Sequence, residues 1–102
     1  MQQILETQHE GALLQLHFDD NRPRATLTIN GVIRETVSSI QPTITLKLTS
    51  PLQTGYEYHD FLEATVKYTP TEVCAVMQIS DTELIHTAIE RATVSDPEDR
   101  LI

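Results

Sequence analysis

Four histidines (His9, His17, His59 and His86), one cysteine (Cys74) and the paired tyrosines Tyr56 and Tyr58 are the side chains of this 102-residue chain best suited to chemistry. Imidazoles gathered in threes hold metal ions, and a thiolate beside a base is a nucleophile. No two histidines stand at a ligand-pair spacing, so a metal centre would need the fold alone to collect His17, His59 and His86. Cys74 lies among Val73, Ala75 and Val76, a setting in which a thiol behaves as a small buried hydrophobe. Acid, imidazole and phenol come together only at Tyr56-Glu57-Tyr58-His59-Asp60. Neighbours on a strand point to opposite faces, so adjacency there does not make a site. The three glycines, Gly11, Gly31 and Gly55, are too scattered to cradle a phosphate, and no G-x-S-x-G, H-E-x-x-H or C-x-x-C motif occurs. The chain therefore reads as non-catalytic, with no cofactor. The alternative is a small β-barrel enzyme or a ligand- or metal-binding protein with a pocket near His59.

Charge points to a partner instead. The chain carries 15 acidic and 7 basic residues, a formal net charge of −8. A free nucleic-acid or anionic-membrane binder needs the opposite excess. Residues 1–51 hold 5 acids and 4 bases, whereas residues 52–102 hold 10 acids and 3 bases. Four of the five aromatics fall within residues 56–68. Tyrosine is a rigid contact with a polar tip, favoured at interface hot spots. Tyr56, Glu57, Tyr58, Asp60 and Glu63 thus form the expected contact region of an acidic module that occupies a partner's basic surface. Such a module would be of inhibitor, immunity or accessory type; a phage or assembly structural component has the same composition.

The elements that must position these groups are mostly strands. Thr, Ile and Val supply 14, 9 and 6 residues, types that fit a pleated, half-buried surface. Alternation predicts strands near residues 2–8, 12–19, 24–29, 32–37, 43–49, 61–68 and 73–79. Residues 58–68 also fit helical spacing, and the strand is preferred because Thr69-Pro70-Thr71-Glu72 then reads as a hairpin loop. Asn30-Gly31 predicts a two-residue hairpin turn. That turn would set Leu27 against Arg34, which implies a bulge or an edge position. No internal repeat shows in the sequence.

Ser80-Asp81-Thr82-Glu83 has the form of a helix capping box, with Ile79 and Leu84 as its hydrophobic staple. Leu84, Ile85, Ala88, Ile89 and Ala92 then predict a helix over residues 81–92. The expected fold is α+β but mostly β: an antiparallel sheet of six or seven strands, curled into a sandwich or open barrel, with one C-terminal helix. Residues 1–94 would form one domain and residues 95–102 a loose acidic tail. The expected core is Leu14, Leu16, Phe18, Leu27, Ile29, Ile44, Leu46, Leu48, Leu62, Val66, Ala75, Met77, Leu84, Ile85 and Ile89. No apolar run approaches the ~18 residues of a membrane helix, and the first residues lack the pattern of a signal peptide. A cytoplasmic protein is the expectation. Uncovered sheet edges would favour a homo-oligomer.

Overall fold

The computed structural model of the chain describes residues 1–53 and 59–91. Eight strands follow one another: β1 (Gln2–His9), β2 (Ala12–Asp19), β3 (Arg24–Ile29), β4 (Val32–Ser38), β5 (Ile44–Gln53), β6 (His59–Tyr68), β7 (Glu72–Ile79) and β8 (Thr82–Glu90). Each pairs antiparallel with the next inside two four-stranded sheets, β1-β2-β3-β4 and β5-β6-β7-β8. Inward side chains of both sheets merge into one buried cluster that includes Leu14, Leu16, Phe18, Leu27, Leu48, Leu62, Val66 and Met77. Every residue of the expected core is there, although Ile44, Leu84, Ile85 and Ile89 are only partly buried at its margin.

The mostly-β, antiparallel reading therefore stands, and the α+β assignment does not. Among the described residues there is no helix, and the strands number eight. The expected helix over 81–92 is instead β8. Ser80 and Asp81 adopt φ of 47° and 70°, so they form the tight turn of a β7–β8 hairpin and do not cap a helix. The register slips between Met77 and Gln78: Met77 faces Ile85 and Gln78 faces Glu83, leaving Leu84 as the extra residue of a bulge. Beyond it Ile85, Thr87 and Ile89 alternate toward the core. One inserted residue thus turned period two into the Leu84, Ile85, Ala88, Ile89 spacing of a helix. Strand pairing also gives the backbone groups along β7 partners that a helix could not supply. The expected tail at 95–102 lies outside the described residues.

The Asn30-Gly31 hairpin forms as expected, and both readings of its awkward register hold. Leu27 faces Glu35 and Thr28 faces Ile33, so Arg34 is bulged, and β4 is an edge strand. A third two-residue turn, Glu10-Gly11, joins β1 to β2 with φ of 52° and 80°. Glycine at the second position meets the left-handed backbone at no steric cost; Asp81 does not.

The sheets repeat one layout. Leu16, Phe18, Ala25, Leu27 and Ile29 of the first match Val66, Tyr68, Ala75, Met77 and Ile79 of the second, each fifty positions on. The two-residue turns and the bulged residues, Arg34 and Leu84, obey the same offset. The halves part at β5–β6. His9 faces Ala12 and the chain turns, whereas the matching pair Ser50–Leu62 is followed by three more: Pro51–Phe61, Leu52–Asp60 and Gln53–His59. The edges of the sheets lie beside one another, β4 with β5 and β1 with β8. At the first seam the half-buried Glu35 accepts the Thr49 N–H at 2.8 Å. An inward-leaning carboxylate there satisfies an edge donor and obstructs pairing with a foreign strand.

Candidate functional site

The up-and-down topology gives the molecule two ends. The turns 10–11, 30–31 and 80–81 lie at one, together with the extended part of β5 and β6. The loops 20–23, 39–43 and 69–71 lie at the other. We call these the turn end and the loop end.

Tyr56, Glu57 and Tyr58 lie outside the described residues. Asp60 and Glu63, three apart on β6, project to opposite sides of it. Asp60 takes the inward phase at the turn end, where one carboxylate oxygen is 3.4 Å from His9 Nε2 of the other sheet. Glu63 takes the outward phase, 3.4 Å from Lys47 Nζ, and accepts a hydrogen bond of 3.0 Å from the Gln78 amide. The fold thus does not gather these two acids onto one face. Glu10 follows His9 in the neighbouring turn, and Asp81 follows Ser80, whose N–H donates to the Phe61 carbonyl, so both acids share this end with Asp60. Three large apolar side chains are exposed at the same end: Val32 (59%), Ile33 (65%) and Phe61 (55%). Phe61 sits on the projecting pair opposite Pro51.

The histidines do not converge. His17 lies on the outer face of the first sheet, paired across from Thr26. His86 lies on the outer face of the second, its Nδ1 2.6 Å from Glu83. His59, exposed, opens β6 opposite Gln53. Among the described residues no three His, Cys, Asp or Glu side chains stand close enough to hold a metal ion. Cys74 departs from its expected burial among apolar neighbours. Val73 and Ala75 point into the core, so Cys74 faces outward and is only half-buried. Partial burial first, then the Glu72 carboxylate 3.5 Å from its sulfur, push the thiol pKa up, away from the reactive thiolate. Cys74 lines a shallow hollow of about 400 Å³ with Thr65, Val76, Gln78, His86 and Ala88.

The loop end is built around Tyr68, which the sequence reading did not place in the core. It follows Leu62, Ala64 and Val66 in the inward phase of β6 and is fully buried. Its hydroxyl donates to the Asp19 carbonyl of the other sheet at 2.6 Å and accepts from the Arg24 N–H at 3.3 Å. Burial, foremost, raises the pKa of this phenol above its usual value. The Arg91 guanidinium lies 5.4 Å from the ring centre and donates to the carbonyls of Asn21 (2.7 Å) and Thr69 (2.9 Å). An inward tyrosine must find a partner for its hydroxyl, which was the signal available in the sequence.

On the outer face above this lock, a hollow of about 160 Å³ is lined by Gln2, His17, Asp19, Arg24, Ala25 and Thr26. Burial works to raise the Asp19 pKa. The N–H groups of Arg22 and Asn21, at 2.9 and 2.8 Å, outweigh it and hold the carboxyl below its usual range. A third hollow, of about 490 Å³, lies between Asn21, Arg22, Pro23, Ser39, Ile40, Pro42 and Arg91. His59 lines none of the three. No helix among the described residues is long and apolar enough to cross a membrane. Comparison with family models, curated proteins and solved structures found no match to this chain.

Proposed function

We propose that this chain is a small acidic protein-binding module without catalytic activity, and that its turn end occupies a basic surface of a partner. The observation that carries this reading is the asymmetry of the two sheets. β5 and β6 run three residue pairs past the point where β1 and β2 turn back, and they carry the exposed Phe61 outward beside Asp60. Glu10, Asp81 and Glu83 share that end. An exposed aromatic at an end that also carries several acids suits recognition of a basic surface, because complementary fields speed encounter and suppress wrong partners. Of the contact residues expected from the sequence, Asp60 stands on this extension, opposite Leu52.

The test is capture of the partner from the source cell on the immobilised full chain, followed by measured affinity of the purified pair. Binding should weaken as salt rises, since exposed charge pairs are screened beyond a Debye length of ~8 Å at physiological ionic strength. Phe61→Ala should weaken it by about tenfold or more, in the range of an interface hot spot. A partner whose affinity ignores salt, Phe61→Ala and Asp60→Asn alike would remove the basis of this reading.

A further inference from the structure

The 160 Å³ hollow at the loop end has a lining of a particular kind. Its residues sit on neighbouring strands in fixed register: Gln2 faces Asp19 across β1–β2, and His17 faces Thr26 across β2–β3. Arg24 opens β3 at the step beyond Ala25, which pairs with Phe18, and so lies beside Asp19. Thr26 and Asp19 already have partners: the Thr36 hydroxyl at 3.2 Å, and the Asn21 and Arg22 N–H groups. The side chains of Gln2, His17 and Arg24 have none among the described residues. Hydrogen-bond donors on three strands therefore surround one small polar space, and no side chain or backbone group among the described residues uses them.

The floor of the hollow is tied to the opposite sheet. The buried Tyr68 hydroxyl ties the Asp19 carbonyl and the Arg24 N–H to the opposite sheet, so the backbone on both sides of the hollow is anchored from beneath. Asp19 brings a negative charge to the rim, but the two loop amides draw on its Oδ1 and its Oδ2 lies 3.8 Å from the Met1 ammonium, so the chain itself offsets that charge. What remains open is a guanidinium, an imidazole and a carboxamide, a set that donates to oxygen. A guanidinium presents its N–H groups as a planar fork that matches the oxygens of a carboxylate or phosphate.

We propose that this hollow binds a small oxyanion, the carboxylate or phosphate group of a ligand, through Arg24, His17 and Gln2. The size of the space admits the anionic group and few atoms more. The site is at the opposite end from the proposed partner surface and does not depend on it.

The experiment is a titration of the ¹⁵N-labelled full chain, followed by amide chemical shifts. Sodium phosphate and sodium acetate are added separately, with ionic strength held constant by sodium chloride. Saturable shifts confined to the amides around Gln2, His17 and Arg24 are expected, with those around Phe61 unmoved. Whichever anion saturates first identifies the ligand group as phosphate or carboxylate. Arg24→Gln should weaken that binding by about tenfold or more, as expected on losing a charge-assisted hydrogen bond. The Arg24 N–H held by Tyr68 is retained in this variant, so amide shifts away from the hollow should stay in place and report an intact fold. Shifts that never saturate, that chloride reproduces, or that survive the double substitution Arg24→Gln, His17→Gln would overturn the proposal.

Discussion

Phe18 and Tyr68 occupy matching places in the two sheets, fifty residues apart and both fully buried, yet they do different work. Phe18 only fills space. Tyr68 fills the same space and sends its hydroxyl across to the Asp19–Arg24 corner of the other sheet. A second matched pair differs in the same spirit: β1 and β2 turn at Glu10-Gly11, while β5 and β6 continue and expose Phe61. Equivalent positions set the shared core, and departures from equivalence set what each end of the molecule can do. At the loop end the departure locks the sheets together; at the turn end it projects a surface.

The largest test of this comparison removes the Phe18 ring. Phe18→Ala should destabilise the protein by ~3–5 kcal/mol in urea unfolding, as for other buried aromatics. If the core is one body, loss of Phe18 should lower a single cooperative transition and not melt one sheet ahead of the other. Two separate transitions would mean that the sheets are independent. Exchanging the hydroxyl sharpens the point. Tyr68→Phe leaves the Asp19 carbonyl and the Arg24 N–H short of a partner, at a cost of ~1–3 kcal/mol. Phe18→Tyr should also destabilise, because it adds a hydroxyl to a fully buried side chain of the apolar core. A neutral Tyr68→Phe would show that the cross-sheet lock contributes nothing.

Acid and alkali probe the same corner from its two sides. Burial raises the folded-state pKa of Tyr68, so its share of stability is complete below the unfolded value of ~10 and is lost as pH climbs through the folded value. Above pH ~10 the wild type should lose stability by this route and Tyr68→Phe should not. Asp19 has the reverse sign. Its folded-state pKa is depressed, so its share is present above the unfolded value of ~3.9 and is lost as pH falls toward the folded value. Asp19→Asn should flatten that acid limb. Unfolding curves across pH for both variants would check this.

The smallest effect concerns the matched turns. Asn30-Gly31 and Ser80-Asp81 both have positive φ at both positions, but only the first has a residue pair suited to them. Asp81→Gly should therefore stabilise the protein by ~0.5–1 kcal/mol, whereas Gly31→Ala should destabilise it by at least as much. A loss of stability in Asp81→Gly, read from the urea midpoint, would instead mark the Asp81 side chain as needed.

Much of the fold was legible because alternation is a local property. Seven strands and twelve of the fifteen expected core residues could be read from the period of two, and the Asn30-Gly31 turn from its dihedral demands; Leu84, Ile85 and Ile89 were reached through the helical spacing that the structure overturns. The eighth strand could not. Ser80-Thr82-Glu83 carries a true local preference for a helix start, and the bulge at Leu84 disguises the alternation that follows. The preference loses to a long-range requirement, the unpaired backbone of β7. The repeat was hidden for a related reason. Ala25–Ala75 and Ile29–Ile79 are identical pairs, but the matched strands otherwise share pattern more than residue type.

For the candidate site the division is sharper. Composition and charge, which need no coordinates, determined that this chain is β-rich, strongly acidic and without a recognisable catalytic motif. Which side chains meet was decided by tertiary structure alone. Asp60 and Glu63 are three residues apart in sequence but on opposite sides of a strand, because successive side chains alternate. Gln2, His17 and Arg24 stand on three successive strands yet line one hollow, because antiparallel register fixes neighbours across strands. The partner of a buried hydroxyl, forty-nine residues away, follows from how two sheets stack, and no local pattern in a chain encodes that distance.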